Sequence, residues 1–173
     1  MARISYVEKE DASEEVKKIY EQLEKNIGLV PNIVKAMANS PIMFKGFMPF
    51  LSAVLGTSEV DAPLKELAII TTSKINGCSY CTAHHKAAGK RAGLTNEKID
   101  PLPDPNSPAL DDKEKAVVRF ASEVTKNVSA SEESINELRK FLNDSQIVEL
   151  NMVIGAFNLL TRFADTFKVD LEH

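Results

Sequence analysis

The chain has 173 residues, 43% of them hydrophobic and 27% charged, a composition that excludes both a disordered and a fibrous protein. Its 25 acidic residues outweigh 21 basic ones, so it lacks the net positive charge of a nucleic-acid-binding surface. Only two cysteines are present, Cys78 and Cys81, too few for a disulfide-stapled secreted scaffold and too close together for a bridge to constrain the unfolded chain much. A chain of this length buries roughly 70% of its unfolded surface without such help, and length alone suggests one domain.

Helical signals run the length of the chain. Ser13 is placed to cap a helix to about Asn26, with Val16, Ile19, Tyr20, Leu23 and Ile27 at three- and four-residue spacing. Gly28 ends it. Pro31 and Pro41 stand where proline opens a helix, the first short and the second long and apolar. The apolar run from Ile42 to Leu55, interrupted by Lys45 and Pro49, is too short to span a bilayer and reads as core or subunit interface.

Asp61 and Pro63 open the next helix, which carries Leu64, Leu67, Ile70 and Ile75 and breaks at Asn76 and Gly77. A further helix is expected from Cys78 to about Ala92, stopped by Gly93. Residues 100–108 contain Pro101, Pro103, Pro105 and Pro108 and must be a loop; it is the one plausible linker, but neither side looks independent. Beyond it, Asp111 or Asp112 caps a helix with Ala116, Val117, Phe120, Ala121 and Val124 on one face. Ser131 starts another through Leu142, and Asp144 or Ser145 opens a long apolar helix to Phe167. No strand-like alternation competes with this pattern. The expected fold is all-α, one domain over residues 1–170. No secretory signal is apparent at the N-terminus, so a cytoplasmic protein is expected, without membrane or nucleic-acid partners. Leu171, Glu172 and His173 read as the start of a cloning-derived polyhistidine tag, which removes His173 as a ligand candidate.

The chemistry concentrates between Glu66 and His85. If a helix begins near Gly77, then Cys78, Cys81 and His85 fall within about 60° of one another on one face, and His84 lies about 100° from His85. A helix N-terminus favours a thiolate, and an imidazole beside it can take the proton. A second thiol three residues away can trap a sulfenic acid as a disulfide. Should the preceding helix pack antiparallel, Glu66 could reach His85 and fix its tautomer or accept its proton. Other readings remain open at this point: a zinc site using Cys78, Cys81 and His84 or His85 with a fourth ligand from elsewhere, or two merely structural cysteines with Glu66 a surface charge. Haem attachment is excluded, because position 82 is Thr82 and not histidine.

Glu66, eleven residues, Cys78, two residues, Cys81, three residues and His85 form a pattern similar to the signature of alkylhydroperoxidase D in the carboxymuconolactone decarboxylase superfamily. The helical pattern around it resembles the family's peroxidase-related members over most of the chain. The resemblance implies an all-helical bundle unlike thioredoxin in fold, in which Cys81 attacks a peroxide and Cys78 resolves the sulfenic acid as a Cys78–Cys81 disulfide. Glu66 and His85 would relay the proton. It also implies an external dithiol reductant, such as a lipoylated or thioredoxin-like protein, no cofactor or metal, and a homo-oligomer, trimeric or hexameric. Disulfide exchange with protein or lipoyl partners is the alternative activity, and a metal-binding or redox-sensing module the alternative of another class. One position departs from the family pattern: its best-known members carry histidine immediately before the second cysteine, where this chain has Tyr80, a hydrogen-bond donor that is no base near neutral pH.

Overall fold

The computed structural model describes residues 1–172, and every regular element among them is a helix. In chain order these are α1 (Glu14–Ile27), α2 (Asn32–Met37), α3 (Pro41–Leu55), α4 (Ala62–Ile75), α5 (Ser79–Arg91), α6 (Asn96–Ile99), α7 (Asp112–Asn127), α8 (Glu132–Leu138) and α9 (Asp144–Phe167). The all-α expectation holds. The expected caps are present in the side chains: Ser13 Oγ accepts the Val16 amide, and Asp111 forms a reciprocal capping box with Glu114. His173 lies outside the described residues.

Two compact units are present. The first comprises Met1–Leu51 and the C-terminal residues from Ala164. Its core is built on Tyr20, fully buried, with its ring edge-on to Phe44 at 6.3 Å and its hydroxyl donating to the Val7 carbonyl at 2.9 Å. Burial pushes the Tyr20 phenol up to about 12. The chain ends are tied down here, the Arg3 amide donating to the Phe167 carbonyl and the Asn32 amide to Glu172.

The second unit, Ser52–Phe163, holds the sequence motif. Its core gathers Leu67 and Ile70 of α4, Val117 and Phe120 of α7, and Leu150 and Ile154 of α9. Helix α4 is the central element, packed against both α5 and α7, and from Leu67 to Ser73 every residue is buried. A helix buried on every side over two turns is one enclosed by others. Helix α9 is long and apolar enough to cross a membrane by length and composition, but Leu150, Val153, Ile154, Phe157 and Leu160 are core residues.

Helix α3 is the long apolar helix expected after Pro41 and runs through Pro49, although proline offers no amide to the Lys45 carbonyl one turn back. Several boundaries differ from expectation. Helix α6, a single turn after Thr95, has no apolar period to announce it. Helix α8 stops at Leu138, not Leu142. Helix α9 is capped by Asn143, whose side chain accepts the Gln146 amide at 2.9 Å while Gln146 accepts the Asn143 amide at 3.0 Å, one residue earlier than predicted.

A buried lysine locks the segment that feeds α4. Lys65 Nζ, 3% exposed as a residue, donates to the Val54 and Gly56 carbonyls at 3.0 and 2.9 Å and pairs with Glu149 of α9 at 2.8 Å. Glu149 also accepts a hydrogen bond from Ser58. Burial alone would raise the Glu149 carboxyl, but the Lys65 and Ser58 hydrogen bonds and the Lys65 charge outweigh it, leaving it below its ordinary value of 4.5. A lowered folded-state value means stability that is fully present above the unfolded value and is lost as pH falls through the folded one. Glu149→Gln should therefore destabilise at neutral pH by about 2 kcal/mol, since it leaves a buried ammonium short of its counter-charge, and the difference from the parent should shrink between about pH 5 and 3. Urea unfolding at a series of pH values measures both.

Helix α7 ends on Val128 at φ 68°, a left-handed conformation that a β-branched side chain resists. At 90% exposure its side chain contributes little packing. Val128→Asn or Val128→Gly should stabilise the protein by about 1 kcal/mol, read as a rise in Tm.

Candidate active site

The helix pair α4–α5 is joined by three residues whose backbone is fully specified. Gly77, at φ 73°, takes the left-handed position that ends α4. Its amide donates to the Lys74 carbonyl at 3.1 Å, and the Cys78 amide donates to the Ser73 carbonyl at 3.0 Å. This is the Schellman arrangement, which satisfies the last carbonyls of a helix. Cys78 is at the same time the N-cap of α5, with extended backbone (φ −77°, ψ 102°) and its Sγ accepting the Cys81 amide at 3.3 Å. The expectation that Cys78 lies within the first helical turn is corrected accordingly: it closes one helix and caps the next, so the 100° spacing applies from Cys81 to His85 but not from Cys78.

Both cysteines are buried, Cys78 1% and Cys81 3% exposed. An amide aimed at a sulfur at a helix N-terminus favours the thiolate form of that sulfur. One turn beyond Cys81, His85 Nδ1 lies 2.8 Å from Glu66 Oε2, both side chains being largely enclosed. A carboxylate oxygen can only accept, so in this contact Nδ1 donates to Glu66, and Nε2 is the ring nitrogen left for other partners. Phe157 of α9 closes the ring from another side, edge-to-face with centroids 4.5 Å apart. The glycine one turn after His85 permits this approach: a Cβ on Gly89 would stand 3.2 Å from Leu94 Cδ1, 3.3 Å from Ile70 Cδ1 and 3.6 Å from Glu66 Cβ.

His84 projects elsewhere, its ring 4.5 Å from that of Tyr80. The two histidines therefore have different partners, as their angular separation predicts. Among the described residues no three His, Cys, Asp or Glu side chains are grouped to hold a metal ion, so the donor set required by the zinc reading is not assembled. Sequence reasoning did not find Phe157, which sits on an apolar helix face like any core residue, 72 positions from the imidazole it covers. Nor did it find that Asn76, expected only to break a helix, bonds to Asn158 and Thr161 of α9.

Residues 41–123 match the carboxymuconolactone decarboxylase family. This stretch includes the helix pair and the whole Glu66–His85 pattern. Over this stretch the chain is similar to that family. Its AhpD-like fold is shared with an uncharacterised peroxidase-related protein from Ralstonia eutropha, described as an alkylhydroperoxidase AhpD core, at TM-score 0.87 and 20% identity over 99% of this chain and 92% of that one. The debrominase Bmp8, solved with 2,3,4-tribromopyrrole, superposes at TM-score 0.86 and 18% identity over 99% and 94% of the two chains. A protein of unknown function from Agrobacterium tumefaciens, assigned to antioxidant defence as an AhpD, is 26% identical at TM-score 0.73, covering 80% of this chain and 96% of its own. AhpD-like architecture thus accompanies peroxidase-related proteins and at least one dehalogenating enzyme.

Because the left-handed Gly77 fixes both the end of α4 and the position of Cys78, Gly77→Ala should cost about 1 kcal/mol or more. It should also slow alkylation of Cys78 by iodoacetamide at neutral pH as the Cys81 amide loses its alignment; thermal unfolding and mass-resolved alkylation rates check the two effects.

Proposed function

We propose that this AhpD-like protein is a dithiol peroxidase acting on hydrogen peroxide or organic hydroperoxides. The 2.8 Å contact between Glu66 and His85, on the helix whose N-terminus carries both cysteines, is the observation that supports this most. Cysteine is mostly protonated at neutral pH, and this pair supplies a base one turn from Cys81.

In the proposed cycle His85 Nε2 takes the Cys81 proton, and the thiolate attacks the terminal peroxide oxygen. The O–O bond breaks, Cys81 becomes a sulfenic acid, and the leaving alkoxide takes the proton from His85 to depart as an alcohol, or as water when the substrate is hydrogen peroxide. Cys78 then attacks the sulfenic sulfur, forming the Cys78–Cys81 disulfide and releasing water. An external dithiol, carried by a lipoylated or thioredoxin-like protein, reduces the disulfide and is itself oxidised. The carboxylate of Glu66 holds the imidazole tautomer and stabilises the imidazolium between these steps. No cofactor or metal enters the cycle. The working form we propose is a cytoplasmic homo-oligomer, trimer or hexamer.

A second reading is favoured by the Bmp8 likeness. The same dithiol would carry two electrons to a carbon–bromine bond, releasing bromide, placing a proton on carbon and leaving the disulfide.

Cys81→Ser should abolish peroxide consumption in the presence of dihydrolipoamide, and Glu66→Gln should lower it by about 100-fold. A Cys81→Ser protein consuming peroxide at the parental rate would sink the proposal. Parental protein inert to peroxides but releasing bromide from a brominated pyrrole would establish the second reading instead.

A further inference from the structure

Phe157 of α9 and His85 of α5 meet edge-to-face, their ring centroids 4.5 Å apart and their planes at 82°. Phe157 is 2% exposed. The same imidazole is held through Nδ1, 2.8 Å from Glu66 Oε2, and the side chains of His85 and Glu66 are only 15% and 12% exposed. His85 is thus fixed by a hydrogen bond from α4 and an aromatic contact from α9.

The hydrogen bond alone does not fix the ring. The torsion between Cβ and an imidazole is broad and roughly two-fold, so rotation about it carries Nδ1 away from the carboxylate and puts a ring carbon in its place. A second ring standing nearly at right angles in a close-packed interior resists that rotation, because the turning imidazole runs into it. Phe157 is itself tied in place along its helix. Its carbonyl accepts the Thr161 hydroxyl at 2.7 Å. The next residue, Asn158, accepts from Asn76 Nδ2 at 3.0 Å, and Thr161 Oγ1 accepts from the same amide at 3.0 Å. Asn76 is the C-cap of α4, so the segment that carries Phe157 is bonded to the end of the helix that carries Glu66. An aliphatic side chain here would fill core volume without presenting a flat ring to the imidazole.

We propose that Phe157 is a positioning residue for His85, restricting the imidazole to the orientation in which Nδ1 bonds Glu66 and Nε2 is left for proton transfer. The proton-transfer half of this role rests on the peroxidase reading above; the orientation half does not. An aromatic pair of this kind should favour the bonded orientation about fivefold.

The test follows the His85 Nδ1 proton by NMR in the full chain with isotope-labelled histidine, the resonance being assigned by its loss in His85→Gln. Phe157→Leu keeps an apolar side chain without a ring, and should raise solvent exchange of that proton about fivefold as the unbonded orientation becomes more populated. Phe157→Tyr keeps the ring and should exchange near the parental rate. Val117→Ala, which truncates a buried core residue of α7, should lower Tm and leave the exchange unchanged. Should Phe157→Leu fail to fold, Phe157→Met should show the same rise. On the peroxidase reading, Phe157→Leu should also lower kcat about fivefold with KM for hydrogen peroxide near the parental value. An unprotected parental Nδ1 proton, a Phe157→Leu protein exchanging at the parental rate, or an equal rise in Val117→Ala overturns the positioning role. Parental protein inert to peroxides, with exchange rates that follow the expected pattern, overturns the peroxidase reading and leaves the positioning of His85 by Phe157 standing.

Discussion

The turn from Asn76 to Cys78 is the constraint on which the candidate site depends. Two helices have to end and begin within three residues, and their unpaired backbone groups must find partners in that space. Gly77 resolves the first half by taking a left-handed conformation, and the amide of Cys78 reaches back to Ser73. The second half is resolved by a cysteine sulfur in the place usually held by a serine, threonine or aspartate oxygen. Sulfur is a weak acceptor as a thiol and a better one as a thiolate, so the atom pair that caps α5 also favours the thiolate form of Cys78. Positions further along α5 inherit their placement from this start: Cys81 lies one turn in, and His85 one turn beyond, where α5 runs beside α4 closely enough for Glu66 to bond the imidazole.

That closeness has its own cause. Gly89 lies one turn after His85, and its missing side chain admits Ile70, Leu94 and the stem of Glu66 to within van der Waals contact. Glycine inside a helix costs roughly 1 kcal/mol relative to alanine, and here the cost is offset by the packing of two helices at the level of Glu66 and His85. Helix α4 can carry Glu66 in this position because it is otherwise buried and rigid, with Lys65 next to it tied to two carbonyls and to Glu149. Neighbouring residues on one helix thus have opposite duties, the lysine turned to the entry of α4 and the glutamate to α5.

Much of this was legible in the sequence, and the reason is local. Helix identities followed from apolar spacing and from caps such as Ser13, Gly28 and Asp111, which act over a few residues and leave a fixed imprint on the chain. The Glu66–Cys78–Cys81–His85 pattern was legible because its members lie on two consecutive helices with a short turn, so that sequence distance converts into spatial distance. The exact status of Cys78 was not, since a cysteine before a helix reads equally as its first turn or its cap, and only the backbone angles separate them. The short α6 and the early end of α8 escaped because neither shows a period.

What sequence could not carry is the contribution of α9. Phe157, Asn158 and Thr161 are more than seventy residues from His85 and Asn76, which they touch, and each has an ordinary local explanation, an apolar core residue followed by polar ones. A polar cluster inside a packed unit is nevertheless demanding, because an amide left unpaired there costs about 1–3 kcal/mol. Four side chains, Asn76 of the turn, Thr125 of α7 and Asn158 and Thr161 of α9, meet that demand with one another and with the Ile154 and Phe157 carbonyls, with Arg162 at the solvent side. Simple hydrophobic packing would have joined α4 to α9 without this directionality. Hydrogen bonds fix rotation and register where apolar contacts tolerate sliding, and the register fixed here is that of Phe157 over His85 and of the turn that presents Cys78.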